Sequence, residues 1–221
     1  MKKLLIAMTS IFILLVASTR FFVLAYLTDQ DVTEEPLLIG DVEVDYEIYF
    51  DKDGIEYPAT EVVIDENLNI TKPGVYSINV TDAQSINFIE HLRIRFFVSS
   101  NVDTYIRIQL IDYLSLTLEN FEGVITEIPI VGQETAFNHL STWYDYQATD
   151  GYYYLMNPVK QVNVTTPLTV DFINAYFPGV NYSARPIGYA LQLGIKIEAV
   201  QAVRGPQMRW GLANPPWGGN W

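Results

Sequence analysis

Between Leu191 and Ala199 every second residue is apolar: Leu191, Leu193, Ile195, Ile197 and Ala199, with Gln192, Gly194, Lys196 and Glu198 between them. A period of two belongs to a strand with one buried face, whereas a helix repeats every 3.6 residues. The rhythm recurs along the chain. Val42, Val44, Tyr46, Ile48 and Phe50 alternate with Glu43, Asp45, Glu47 and Tyr49. Leu92, Ile94, Phe96 and Val98 alternate with His91, Arg93, Arg95 and Phe97. Ile106, Ile108 and Leu110 alternate with Tyr105, Arg107 and Gln109, and Leu114, Leu116 and Leu118 continue the pattern. As helices these segments would scatter their apolar residues around the whole surface. They must pair as strands and bury one face against another sheet. The 15 Tyr and 11 Phe add bulky residues that suit a pleated surface. The expectation is an all-β fold, an antiparallel β-sandwich or barrel.

Punctuation between the strands sharpens this reading. Asp51-Lys52-Asp53-Gly54 and Thr71-Lys72-Pro73-Gly74 are turn signals. The polar interval Ser99 to Asp103 suits a hairpin or a crossing between sheets. Asp150-Gly151, between Trp143-Tyr144-Asp145-Tyr146 and Tyr152-Tyr153-Tyr154, predicts a hairpin. Val162 to Val170 carries Pro167 and so predicts an edge strand. Thr169 to Phe177 reads as a short helix stopped by Pro178-Gly179, and Thr135 to Gln147 as a loop or short helix. The alternation at Leu191 predicts a central strand.

The N-terminus reads as an export signal with a signal helix. Lys2 and Lys3 precede an uncharged apolar run from Leu4 to Ser18, then Thr19-Arg20 and a second apolar patch, Phe21 to Leu27. Val23-Leu24-Ala25 meets the small-residue rule, which places cleavage between Ala25 and Tyr26. The alternative is an uncleaved anchor, the one membrane contact expected; Arg20 lies inside it, where a charge is costly. The expected organisation is a signal peptide at 1–25, an N-terminal segment at 26–40, a sandwich at 41–204, and a tail at 205–221 rich in Trp, Pro and Gly. Cleavage removes three of the 13 basic residues and none of the 26 acidic ones, leaving ten against 26 and a net charge of −16. Such a chain repels nucleic acid and anionic lipid. It has no cysteine, so its stability must come from packing.

Catalytic motifs are sparse. The two histidines, His91 and His139, lie 48 positions apart, with neither a His-Glu-x-x-His nor a Gly-x-Ser-x-Gly segment. No catalytic residue, cofactor or zinc site is assigned, and a non-enzymatic role is expected. Asp51, Asp53 and Glu56 are weak calcium candidates: hard oxygens in a turn, without the distal glutamate of a full loop. Tyr152 and Tyr154, with Trp217 and Trp221 of the tail, form a candidate aromatic binding surface. Against this, the tyrosines of an alternating strand split between core and surface. The tail either docks elsewhere or folds back.

Leu24-Ala25-Tyr26-Leu27-Thr28-Asp29 is followed by Leu38-Ile39-Gly40-Asp41-Val42. Further on come Ile70-Thr71-Lys72-Pro73-Gly74, Phe97-Val98-Ser99-Ser100-Asn101 and Tyr105-Ile106-Arg107-Ile108. Trp143-Tyr144 with Asp150-Gly151-Tyr152-Tyr153-Tyr154, then Ile197-Glu198-Ala199-Val200-Gln201-Ala202 and Trp210, complete a series running from about residue 20 to about residue 212. In order and spacing this series resembles the TasA/camelysin-like family of Gram-positive exported proteins, which a dedicated signal peptidase processes. The resemblance implies a jelly-roll-like sandwich and a secreted structural subunit of cell-surface or biofilm-matrix fibres. It implies homo-oligomers, or assembly with related matrix subunits, in which an N-terminal segment completes a neighbour's sheet. Here that donor is the stretch from Tyr26 to Leu38. A monomeric surface-binding module is the alternative, and a secreted metalloprotease a third reading.

Overall fold

The computed structural model describes residues 41–65, 70–119, 125–130, 137–163, 165–174 and 188–221. The signal helix, the Ala25–Tyr26 junction and the proposed donor segment lie outside the described residues. Two antiparallel sheets stack in a sandwich-like arrangement. Among the described residues the strands are β1 (Val42–Lys52), β2 (Ile55–Pro58), β3 (Glu61–Asp65), β4 (Ile70–Asn79), β5 (Leu92–Ser100), β6 (Thr104–Glu119), β7 (Ile125–Ile130), β8 (Trp143–Asp145), β9 (Tyr153–Leu155), β10 (Leu168–Ile173) and β11 (Tyr189–Gln201). One sheet runs β10-β5-β1-β2; the other runs β3-β4-β11-β6-β9-β8, with β7 also pairing β6. No helix among the described residues is long and apolar enough to cross a membrane.

The alternation places the core. Ile48 and Phe50 of β1, Ile94, Phe96 and Val98 of β5, Ile106 and Ile108 of β6, and Leu191 and Leu193 of β11 are all buried in one cluster. Burying a side chain of this kind stabilises the fold by roughly 1.5–3 kcal/mol. Trp143 of β8 crosses the layers: its ring packs on Phe96 and Phe172, and its Nε1 donates to the Asp171 carbonyl of β10 at 2.8 Å.

The first turn forms as the residues dictate. Asp53 (φ 57°) and Gly54 (φ 78°) are both left-handed, as a tight two-residue hairpin demands, and Asp51 Oδ1 accepts the Gly54 N–H at 3.1 Å. Ser99 to Asp103 proves to be a crossing, since β5 and β6 belong to different sheets. The edge strand expected over Val162 to Val170 is β10, but it begins only after Pro167, at Leu168, and runs on to Ile173, while Asn163 and Thr166 make just an isolated bridge; β11 sits centrally between β4 and β6. β8 and β9 form the predicted hairpin, although Asp150 and Gly151 close a longer connection through a one-turn helix, α1 (Gln147–Asp150).

Two further expectations need correction. Thr71 to Gly74 does not end a strand: β4 runs through it, and the β3–β4 register slips there. The Glu61 side chain takes the irregularity, accepting from Gly74 N at 2.8 Å and Thr71 Oγ1 at 3.1 Å. Thr169 to Ile173 is strand rather than helix, because pairing with β5 overrides local propensity; 175–177 lie outside the described residues.

Candidate functional site: an aromatic face closed by the C-terminal arm

The outward residues of β11, β6, β9 and β8 line up in one row. Glu198 lies opposite Arg107, Arg107 opposite Tyr154, and Tyr154 opposite Tyr144. Arg107 is the hub. Its Nη2 lies 2.6 Å from Glu198 Oε2, and its Nη1 donates to Tyr154 Oη at 3.2 Å. Its guanidinium stands 4.0 Å from the Tyr152 ring centroid and 4.8 Å from that of Trp210. A planar cation can satisfy a carboxylate with its edge while stacking with its faces. Around it, Tyr152 Oη donates to Glu198 Oε1 at 2.8 Å, Lys196 Nζ lies 2.8 Å from the same oxygen, and Tyr154 Oη donates to Asp150.

The tail from Gly205 to Trp221 folds back over this row. Trp217 packs on Tyr105, Tyr144 and Tyr154, with centroids 6.2–6.4 Å apart. Trp221 stands edge-on to Tyr105 at 4.9 Å, and Trp210 edge-on to Tyr154 at 5.8 Å. These rings form a second apolar layer outside the sheet, leaving Tyr154 only 1% exposed and Tyr105 7%. Gly205 starts the arm where a Cβ would stand 2.9 Å from Val200 Cβ, closer than carbon atoms pack. Gly218 and Gly219, at φ 89° and 84°, turn the end so that Trp221 Nε1 reaches the Leu212 carbonyl at 2.9 Å.

All four predicted aromatic residues therefore meet at one face. Tyr152 and Tyr154 point outward while Tyr153, between them, enters the core. The tail is the cover of this face, held down by its own tryptophans. The calcium candidates behave differently. Both Glu56 oxygens are bound by Arg95, at 3.0 and 2.9 Å, and Asp51 serves the turn. Among the described residues no group of three or more His, Cys, Asp or Glu is placed to hold a metal ion. The His139 ring stacks on Phe172, and His91 Nδ1 lies 3.0 Å from the Ile86 carbonyl.

Burial alone pushes the Glu198 carboxyl up, but hydrogen bonds from Lys196, Arg107 and Tyr152 outweigh it and bring the group down to about 2. Burial, with the hydrogen bond to Asp150, raises Tyr154. Glu198 therefore stabilises the fold in its charged form. Its folded pKa is depressed from 4.5, so its contribution is complete above pH 4.5 and is lost as pH falls toward 2. With Glu198 27% exposed, that contribution is on the order of 2 kcal/mol. Glu198→Gln is expected to flatten the fall in thermal stability between pH 4.5 and 2, read by circular dichroism. An unchanged slope in the variant contradicts the assignment.

No family profile, curated protein or solved structure matches the chain.

Proposed function

We propose that this chain is an exported structural subunit of a cell-surface or matrix fibre, with a jelly-roll-like sandwich that neighbours join by strand addition. The observation that supports this reading is the half-open edge of β1. β5 pairs with β1 from Val42 to Phe50, whereas β2 covers it only from Tyr49 onward. The Ile48 carbonyl, which accepts from Ala59 N at 2.9 Å, faces the β2 side. By alternation, Val42, Val44 and Tyr46 turn their N–H and C=O groups the same way, where no strand among the described residues meets them. A strand laid there would gain main-chain hydrogen bonds and extend the sheet. Glu43 and Asp45 keep the edge acidic, which discourages indiscriminate pairing. The donor stretch is acidic as well, with Asp29, Asp31, Glu34 and Glu35, so salt that screens the repulsion favours assembly.

The test is negative-stain electron microscopy of the chain starting at Tyr26, beside a chain starting at Asp41. Filaments from the longer chain alone, increasing with ionic strength, are expected. Monodisperse particles from both would overturn self-assembly through the N-terminal segment.

A further inference from the structure

Among the described residues the arm makes its main-chain hydrogen bonds within itself and its hinge. Met208 N donates to the Arg204 carbonyl, Leu212 N to Pro206 and Gly218 N to Pro215, at 3.0–3.2 Å. The last main-chain bond to the sandwich among the described residues is made upstream, from Ala202 N to the Asp103 carbonyl at 2.7 Å. Beyond it, Gly205 packs on Val200, and rings and one guanidinium hold the rest of the arm to the sheet: Trp210, Trp217 and Trp221 against Tyr105, Arg107, Tyr144 and Tyr154. The arm is thus a small folded unit with a side-chain seat, joined by a short hinge at Ala202 to Arg204. That hinge is strained. Arg204 has φ 60°, a left-handed conformation that disfavours any residue with a Cβ.

We propose that the arm is exchangeable between copies: Gly205–Trp221 of one chain docks on the aromatic seat of a second copy and links the two sandwiches. The occupant is set by the seat itself, because a second copy's arm brings the same three tryptophans and the same hinge. A strained short hinge favours opening, and an exchanged arm recovers every contact it leaves. A chain's own arm wins in dilute solution, because a short linker holds it at an effective concentration on the order of mM. Exchange takes over where copies are held side by side. This inference does not depend on strand addition at β1, which uses the other sheet.

Complementation separates the parts. One chain carries Trp210→Ala, Trp217→Ala and Trp221→Ala, so its seat is intact and vacant. The other carries Arg107→Ala and Tyr144→Ala, so its arm is intact and unseated. Both start at Tyr26 and carry Val44→Pro, which removes the outward N–H at the β1 edge and so keeps fibre growth out of the measurement. Light scattering after size exclusion is expected to give monomers separately and a one-to-one heterodimer on mixing. A mixture that stays at monomer mass, with both chains showing the wild-type circular dichroism spectrum, overturns the proposal. If the seat variant fails to fold, a chain lacking Val203 and Arg204 decides instead. Its arm cannot return to its own seat, so the proposal requires a dimer, and a monomer refutes it.

Discussion

Val44→Pro is expected to abolish filament growth while leaving the sandwich folded. Proline removes one main-chain donor, and at Val44 that donor faces away from β5, toward the side that β2 leaves uncovered. The β1–β5 ladder keeps all its bonds. The expected stability loss is about 1 kcal/mol, from backbone restriction and a poorer fit of a partly buried side chain. An incoming strand loses a hydrogen bond and meets the pyrrolidine ring, so growth followed by light scattering is expected to fall at least about tenfold, the equivalent of about 1.4 kcal/mol. The neighbouring residue is the control. The Asp45 N–H points at Phe97 of β5, so Asp45→Pro breaks the ladder and is expected to cost roughly 2 kcal/mol or more of folding stability. Filaments of Val44→Pro that grow at the wild-type rate would exclude this edge as the acceptor.

The strands were legible because the period of two survives wherever one face is buried. Leu191 to Ala199 alternates most regularly and occupies the centre of the larger sheet. Pro167 correctly marks an edge, since a proline just before β10 deprives no inner ladder of a donor. Local signals failed where a distant side chain decided the outcome. The Glu61 carboxylate turns the apparent turn at Thr71 to Gly74 into an irregularity inside one strand. The candidate site was half visible. Its aromatic residues stood out by composition, but its hub did not. Arg107 and Glu198 are 91 positions apart, and each looked like an ordinary outward residue. Only the register of β6 against β11 and β9 sets them in one row with Tyr154 and Tyr144. Where the tail lies was equally hidden, because its seat is assembled from three strands.

Arg107→Ala is expected to loosen the arm and destabilise the domain together. The Arg107 side chain is 12% exposed and holds Glu198, so its removal leaves a partly buried carboxylate paired only with the Lys196 ammonium and the Tyr152 hydroxyl. Removing one partner of a buried pair costs about 3 kcal/mol when the other charge is left uncompensated; here Lys196 still pairs with Glu198 and partial exposure screens it, so the expected loss is about 1–2 kcal/mol. The same change strips a cation from the Trp210 and Tyr152 rings. The apparent Tm is expected to fall, tryptophan emission to shift to longer wavelength as Trp210 and its neighbours gain water, and proteolysis beyond Arg204 to accelerate. Arg107→Lys separates charge from shape. An ammonium can still pair with Glu198, but it cannot donate through a planar edge while stacking on two rings, so it is expected to restore less than half of the lost stability. Full recovery with lysine would reduce the site to a simple ion pair. An Arg107→Ala chain whose arm stays protected would show that the tryptophans alone hold it down.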